Sequence, residues 1–174
     1  MPRHPSVALP TAYVALRTLI VLNWLFGAGI LALLGSTFVD APWTMKAIGV
    51  SESADAGAVL MGMRAIAALG LVSIPLVYAV LTRLLAMVAT VRDGDPFVPD
   101  NAHRLQGIAW VLLALQFLSL VIGGIANLIS TPTHPFELDA GISVNGWLAV
   151  ILTFVLARVF AEGTAMREDL QGTV

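Results

Sequence analysis

The chain contains four runs of apolar residues, each long enough to cross a lipid bilayer as a helix. The first, from Thr18 to Val39, carries a single strongly polar side chain, Asn23. About 20 helical residues, at a rise of about 1.5 Å each, cross a hydrocarbon core of about 30 Å. Because lipid offers no hydrogen bonds to the backbone, such runs fold as helices rather than as loops. The runs therefore predict a set of transmembrane helices.

Composition supports a membrane class over a soluble one. Hydrophobic residues make up 58% of the 174 residues and charged residues 11%, against about 25% charged in soluble domains. The absence of cysteine excludes disulfides, thiolate catalysis, cysteine-ligated zinc and iron–sulfur clusters. A formal net charge of -2 argues against direct binding to nucleic acid, because proteins that bind nucleic acid concentrate Lys and Arg on one face.

We predict an all-α fold, a four-helix transmembrane bundle of two antiparallel hairpins in one integral membrane domain over residues 1–174. The predicted spans cover residues 15–38, 62–84, 105–129 and 142–161. A turn over 92–104 joins the hairpins, and a charged tail occupies 162–174. A signal peptide at the first run is less favoured, because the run is longer than an ordinary h-region of about 7–15 residues and lacks a small-x-small cleavage site.

The positive charges predict the orientation of the spans. One side, which holds both termini and the central turn, carries Arg3, Arg17, Arg83, Arg92, Arg104, Arg158 and Arg167. The opposite side carries Lys46 and, at its edge, Arg64. Because cytoplasmic loops are enriched in Lys and Arg, the N- and C-termini and the turn are predicted to be cytoplasmic.

The turn over 92–104 contains the densest charge cluster, and its residues are predicted to end one helix and begin the next. Gly94 is placed to end the second span as a C-cap, and Pro96 follows where a helix cannot easily continue. Asp100 or Asn101 is predicted to cap the third span.

An apolar stripe at helical spacing precedes the turn. Its members are Leu84, Leu85, Met87, Val88 and Val91. A partner helix could cover this stripe, or Met166 and Leu170 of the tail could pack on it within the same chain. The packing within the chain is the simpler interpretation.

Two segments resemble a known family. The first segment contains Gly94-Asp95-Pro96-Phe97, inside the run from Arg92 to Asn101, and then the basic-Leu pair Arg104-Leu105 followed by Gly107-Ile108-Ala109-Trp110. This segment resembles the central signature of the bacterial four-helix membrane family catalogued as domain of unknown function 2975. The tail from Val159 to Val174 resembles its closing segment, a Phe-x-x-Gly turn, a charged helix and a terminal Thr-Val. Ala161-Glu162 departs from the family pattern, where a basic pair is expected. The resemblance extends from about Tyr13 to Val174.

This resemblance implies a multi-pass protein of the bacterial cytoplasmic (inner) membrane. Members of the family are commonly encoded beside a small cytoplasmic helix-turn-helix regulator, which implies a non-enzymatic tether or modulator of such a transcription regulator. The expected partner-binding residues lie in the turn and the tail: Asp95, Pro96, Phe97, Asn101, Arg104, Arg167, Glu168 and Asp169.

The alternative is a small transporter or channel, assembled as a homo-oligomer around a polar intramembrane path of Asn23, Arg64 and Asn127. A simpler interpretation gives Arg64 an interfacial position and gives the asparagines interhelical hydrogen bonds of roughly 0.6 kcal/mol each. A purely structural subunit is a third hypothesis.

No catalytic pattern is visible in the sequence, so we expect neither an enzyme nor a cofactor. His4, His103 and His134 lie outside the predicted spans, which argues against haem held between helices. Asp93, Asp95 and Asp100 are spaced as in a loop, but they lack the glycine and bidentate Glu of a calcium loop. We therefore expect no metal site.

Overall fold

The computed structural model describes residues 8–47, 56–130 and 140–172. Within these ranges the regular structure is helical and contains no strand. The helices are α1 (Ala8–Val39), α2 (Ala41–Ala47), α3 (Ala56–Arg92), α4 (Pro99–Ile129) and α5 (Val144–Gly172). All but α2 are long and apolar enough to cross a membrane, judged by length and composition. The predicted all-α fold with four membrane-spanning helices is confirmed, whereas the cytoplasmic location of the termini stays a prediction.

The long helices extend beyond the predicted spans at the ends nearest the termini or the 92–104 turn. α1 begins at Ala8 rather than near residue 15, and α3 continues to Arg92. α4 begins at Pro99, and α5 continues to Gly172. In α3, α4 and α5 the apolar span therefore passes without a break into a helical end that carries charged residues. Predicted features at residues 1–7, 48–55, 131–139 and 173–174 lie outside the described residues.

A short helix replaces part of the predicted first loop. Asp40 caps α2, because its side-chain Oδ1 accepts a hydrogen bond of 2.9 Å from the backbone N–H of Trp43. Pro42 in the first turn costs no intrahelical hydrogen bond, since the first N–H groups of a helix have no partner within it. The segment between the first two predicted spans therefore begins with a helix.

Large apolar side chains are exposed along the spans. On α1, Leu25 and Phe26 are 63% and 66% exposed. In water such a surface would be unfavourable at about 25 cal/mol per Å². In a bilayer the same side chains face lipid, which is as apolar as they are. Exposure of this kind agrees with a multi-pass membrane protein.

The described residues form two compact units. The turn unit comprises residues 8–22, 77–113 and 145–172, and the loop unit comprises 23–47, 56–76, 114–130 and 140–144. The prediction of a single domain over the whole chain stays a prediction.

In the loop unit, neighbouring segments pack closely where glycines leave space. A Cβ built on Gly27 would lie 3.1 Å from the Ile74 side chain. A Cβ on Gly123 would lie 2.7 Å from the carbonyl oxygen of Ala140. The segment at Gly141 is held there because its backbone N–H donates to Ser119 Oγ at 3.1 Å. The Ile74 side chain comes close to Gly27, and the non-helical backbone of residues 140–141 comes close to Gly123, because neither glycine carries a Cβ.

Candidate partner-binding surface

The turn between α3 and α4 begins with a glycine in a left-handed conformation. Gly94 has φ of +90°, which only glycine adopts without strain. Its N–H donates to the carbonyl of Val91, and the N–H of Asp95 donates to the carbonyl of Thr90. This pair of hydrogen bonds is the Schellman arrangement, which satisfies the last carbonyls of a helix. The predicted C-cap role of Gly94 is confirmed.

The start of α4 differs from the prediction. Pro99 is the first residue of the helix, where its fixed φ suits the helix and its missing N–H costs nothing. The predicted capping role of Asp100 or Asn101 is therefore wrong, because both residues already lie inside the first turn. Asp100 is instead exposed and pairs with Arg104 at 3.5 Å.

Asn101 holds the turn from inside. Its side chain is fully buried, and its Nδ2 donates to Thr90 Oγ1 at 2.7 Å and to the carbonyl of Pro96 at 2.9 Å. Its Oδ1 accepts a hydrogen bond of 2.9 Å from Arg104. One amide thus joins the end of α3, the middle of the turn and the first turn of α4. Because it is buried, Asn101 positions the turn and offers no side-chain contact to a partner.

Phe97 attaches the turn to α5. The centre of its ring lies 5.4 Å from the centre of the Phe160 ring, with an angle of 32° between the ring planes. A Cβ on Gly163 would approach the Phe97 ring to 3.2 Å, so the glycine makes room for the ring. The expected Phe-x-x-Gly turn is absent, because α5 is helical through Gly163. The glycine therefore serves packing rather than a change of chain direction.

An ion pair completes the attachment of the tail. Arg167 on α5 pairs with Asp95 in the turn, and the same guanidinium lies 3.4 Å from the carbonyl oxygen of Phe97. The two side chains are 43% and 39% exposed. Segments separated by 72 residues in sequence therefore form one solvent-facing patch.

We call this patch the turn–tail surface, made of Asp95, Pro96, Phe97, Arg104, Arg167 and Asp169. Asn101, which was also predicted as a contact residue, lies buried beneath it. Asp169 is exposed beyond Arg167 on α5. The side chain of Glu168 lies outside the described residues.

A family model covers most of the chain, including the turn and the tail. Residues 44–174 match the family described as protein of unknown function (DUF2975). The chain belongs to this family. Its four long apolar helices indicate that this DUF2975 protein is a multi-pass membrane protein. No curated protein and no solved structure matches the chain.

The transporter or channel hypothesis relies on three polar residues, which in this DUF2975 chain either make hydrogen bonds or are exposed. Asn23 donates from Nδ2 to the carbonyl of Ile74 at 3.1 Å, which confirms the interpretation of an interhelical hydrogen bond. Arg64 donates to Thr37 at the end of α1, to the carbonyl oxygen at 2.5 Å and to Oγ1 at 3.1 Å. Its guanidinium also lies 4.0 Å from the centre of the Phe38 ring. Asn127 is exposed.

Sequence reasoning missed a groove between α4 and α5 in the turn unit. A signal for it was present, because Ala157, Ala161 and Ala165 repeat every four residues and so share one face of a helix. Reasoning from the sequence also gave no role to Tyr13, whose ring lies near the guanidinium groups of Arg17 and Arg92. Among residues 8–47, 56–130 and 140–172, no group of three or more His, Asp or Glu side chains is placed to hold a metal.

Proposed function

We propose that this DUF2975 protein is a non-enzymatic membrane protein that tethers or modulates a small cytoplasmic helix-turn-helix transcription regulator through its turn–tail surface. The observation that carries the proposal is the joining of turn and tail by Asp95, Arg167 and Phe97. A surface that is already ordered loses less entropy when a partner binds than a flexible segment does.

The chemistry of the turn–tail surface suits a water-soluble partner. It offers an acidic group at Asp95, basic groups at Arg104 and Arg167, and a partly exposed aromatic ring at Phe97, which is 43% exposed. Aromatic and Arg side chains are enriched at protein interfaces. Charges of both signs favour one orientation of the partner, because like charges placed opposite each other repel. The predicted cytoplasmic side of the turn agrees with such a partner.

The choice of a helix-turn-helix regulator rests on the family resemblance described for the turn and tail motifs. The transporter or channel alternative has less support, because Asn23 and Arg64 make hydrogen bonds to backbone carbonyls. Groups that line a conducting path are expected to be free to exchange partners with the solute.

Photo-crosslinking in native membranes tests the proposal. A photoreactive residue replaces Met166, which is 63% exposed and lies beside Arg167. The matched control carries the same residue at Val144, which is 78% exposed in the loop unit. We expect the probe at position 166 to capture a protein with a helix-turn-helix sequence, identified by mass spectrometry, and the probe at position 144 to capture none.

Capture of only further copies of this chain at position 166 would contradict the proposal and favour an oligomeric channel or a structural subunit. Equal capture of the regulator at both positions would also contradict it, since the contact would then not depend on the turn–tail surface.

A further inference from the structure

A groove of about 380 Å³ lies between the first turns of α4 and the last turns of α5. Alanine side chains form much of its lining, with Ala102 from α4 and Ala157, Ala161 and Ala165 from α5. The turn–tail surface does not supply its lining. The groove is open because small side chains stand at these positions, where a Leu would fill the space.

Four side chains that can donate hydrogen bonds also line the groove: His103, Gln106, Arg158 and Thr164, of which Thr164 already donates to the carbonyl of Phe160 at 2.8 Å. Arg158 donates from Nε to Glu162 at 2.7 Å, and the Arg158 side chain is 77% exposed. A guanidinium has five N–H donors, and in the described part of the chain no acceptor takes the other four. The side chains of His103 and Gln106 likewise make no hydrogen bond to another described residue. The groove thus combines an apolar lining with exposed donors that make few or no hydrogen bonds to the described residues, and one of these donors is the Arg158 cation.

The groove stands where the apolar spans give way to polar residues. One turn beyond Gln106, the ring of Trp110 packs edge to face against Phe154 at 5.3 Å between centres. Trp at the end of an apolar span is typical of the membrane–water interface. In the other direction, beyond Ala165, α5 carries the exposed Arg167 and Asp169. The groove therefore lies at the depth of lipid headgroups.

We propose that the groove binds the phosphate headgroup of a membrane phospholipid. The phosphate oxygens accept hydrogen bonds from Arg158, His103 and Gln106, because Arg and phosphate form strong charge-assisted hydrogen bonds. Basic pockets between transmembrane helices bind lipid headgroups by this chemistry. The glycerol and the first acyl carbons lie along the alanines toward Trp110.

A lipid fits the groove better than a free phosphate ion does, because the alanine lining and Trp110 give the acyl carbons an apolar contact that an inorganic ion cannot use. This site goes beyond the proposed function, since it involves neither the regulator nor the turn–tail surface.

Native mass spectrometry of the full-length protein, released from detergent micelles with added phosphatidylglycerol, tests the site. We expect a one-to-one lipid adduct and no adduct with diacylglycerol, which has the same acyl chains without the phosphate. Arg158→Gln should weaken lipid binding about tenfold, which corresponds to about 1.4 kcal/mol. Ala161→Leu should weaken it at least as much by filling the groove.

Matched controls separate the groove from general effects. Arg92→Gln removes the same charge from an exposed residue outside the groove, and Ala149→Leu enlarges an exposed residue of α5 outside it. We expect both to bind the lipid as the wild type does, and Arg158→Lys to recover part of the affinity.

Wild-type affinity in both groove variants would overturn the proposal, and so would equal losses in the two controls. Inorganic phosphate supplied instead of lipid distinguishes the source of the phosphate. If the ion binds as tightly as phosphatidylglycerol, the assignment to a lipid is wrong. A thermal unfolding midpoint equal to that of the wild type in Arg158→Gln shows that its loss of binding is not a loss of fold.

Discussion

The turn unit and the loop unit fix their helix ends by different means. In the turn unit, a buried amide at Asn101 and an ion pair between Asp95 and Arg167 connect segments through polar side chains. In the loop unit, the closest contacts at Gly27 and Gly123 are made where side chains are missing, beside polar contacts such as that of Arg64 with Thr37. Polar groups at the turn keep a surface ordered while it stays exposed to water. Glycine contacts bring helices together but leave little for a partner to recognise.

An arginine of each unit also differs in what its guanidinium contacts. Arg64 in the loop unit turns inward and binds the carbonyl at the end of α1, where the negative end of the helix dipole favours a cation. Arg167 in the turn unit pairs across an exposed surface. Arg64 therefore serves packing within the loop unit, whereas Arg167 belongs to the surface that we propose for the regulator.

The largest effect is expected for Asn101→Ala in the turn unit. The change removes hydrogen bonds to Thr90, Pro96 and Arg104 and leaves buried groups unpaired. We expect a loss of about 3 kcal/mol in the free energy of unfolding, measured by denaturant titration in micelles. The neighbouring Asp100→Ala, at an exposed position, should cost about 0.5 kcal/mol or less. A small cost for Asn101→Ala would break the contrast between a polar and a glycine-packed unit.

The next largest effect is expected for Gly123→Ala in the loop unit. Its new Cβ would meet backbone atoms of Ala140 and Gly141 within 3 Å, and backbone cannot move aside as a flexible side chain does. We expect a loss of about 2 kcal/mol. Gly124→Ala is the matched control, because nothing lies within 4 Å of its Cβ position. It should leave stability unchanged or raise it, since Ala favours helix over Gly by about 1 kcal/mol. Equal losses at both positions would contradict close packing at Gly123.

A smaller effect is expected from the contact between Arg64 and Phe38 in the loop unit. A double-mutant cycle of Arg64→Met and Phe38→Leu should give a coupling of about 0.5–1 kcal/mol, the usual range for a cation–π contact at an exposed site. A coupling of zero would mean that Arg64 acts through Thr37 alone. Asn127→Ala, at an exposed residue of the same unit, should change stability little.

The smallest effect on stability is expected for the ion pair of the turn unit. Because Asp95 and Arg167 are both partly exposed, the coupling between Asp95→Asn and Arg167→Gln should be about 0.5 kcal/mol or less. It should decrease further in high salt, which screens exposed charges. A coupling as large as the Asn101→Ala effect would show that the pair serves stability rather than the arrangement of a surface.

Features that depend on local sequence could be predicted. The spans follow from runs of apolar residues, and the C-cap at Gly94 follows from a glycine between a helical pattern and Pro96. The interhelical hydrogen bond of Asn23 and the close contact at Gly27 could also be predicted, because a polar group or a glycine inside a span has few structural uses.

Features that depend on contacts between distant segments could not be predicted. The burial of Asn101 depends on Thr90 and Pro96 closing around it, which the local pattern of a capping residue does not reveal. The packing role of Gly163 depends on a ring supplied by the turn, 66 residues earlier in the chain at Phe97. The groove required knowledge that the alanine face of α5 lies beside the first turns of α4.

The central claim is that turn and tail act as one surface for the regulator. The chain has no cysteine, so Asp95→Cys/Arg167→Cys can be joined by a short thiol-specific reagent in membranes that also carry the photoreactive residue at Met166. Before joining, regulator capture should fall several-fold, because the ion pair is lost. After joining, an intrachain link should form and capture should recover in part, because the link holds turn and tail together but does not restore the two charges. A link that forms without restoring capture, or a pair that forms no intrachain link, would contradict the account.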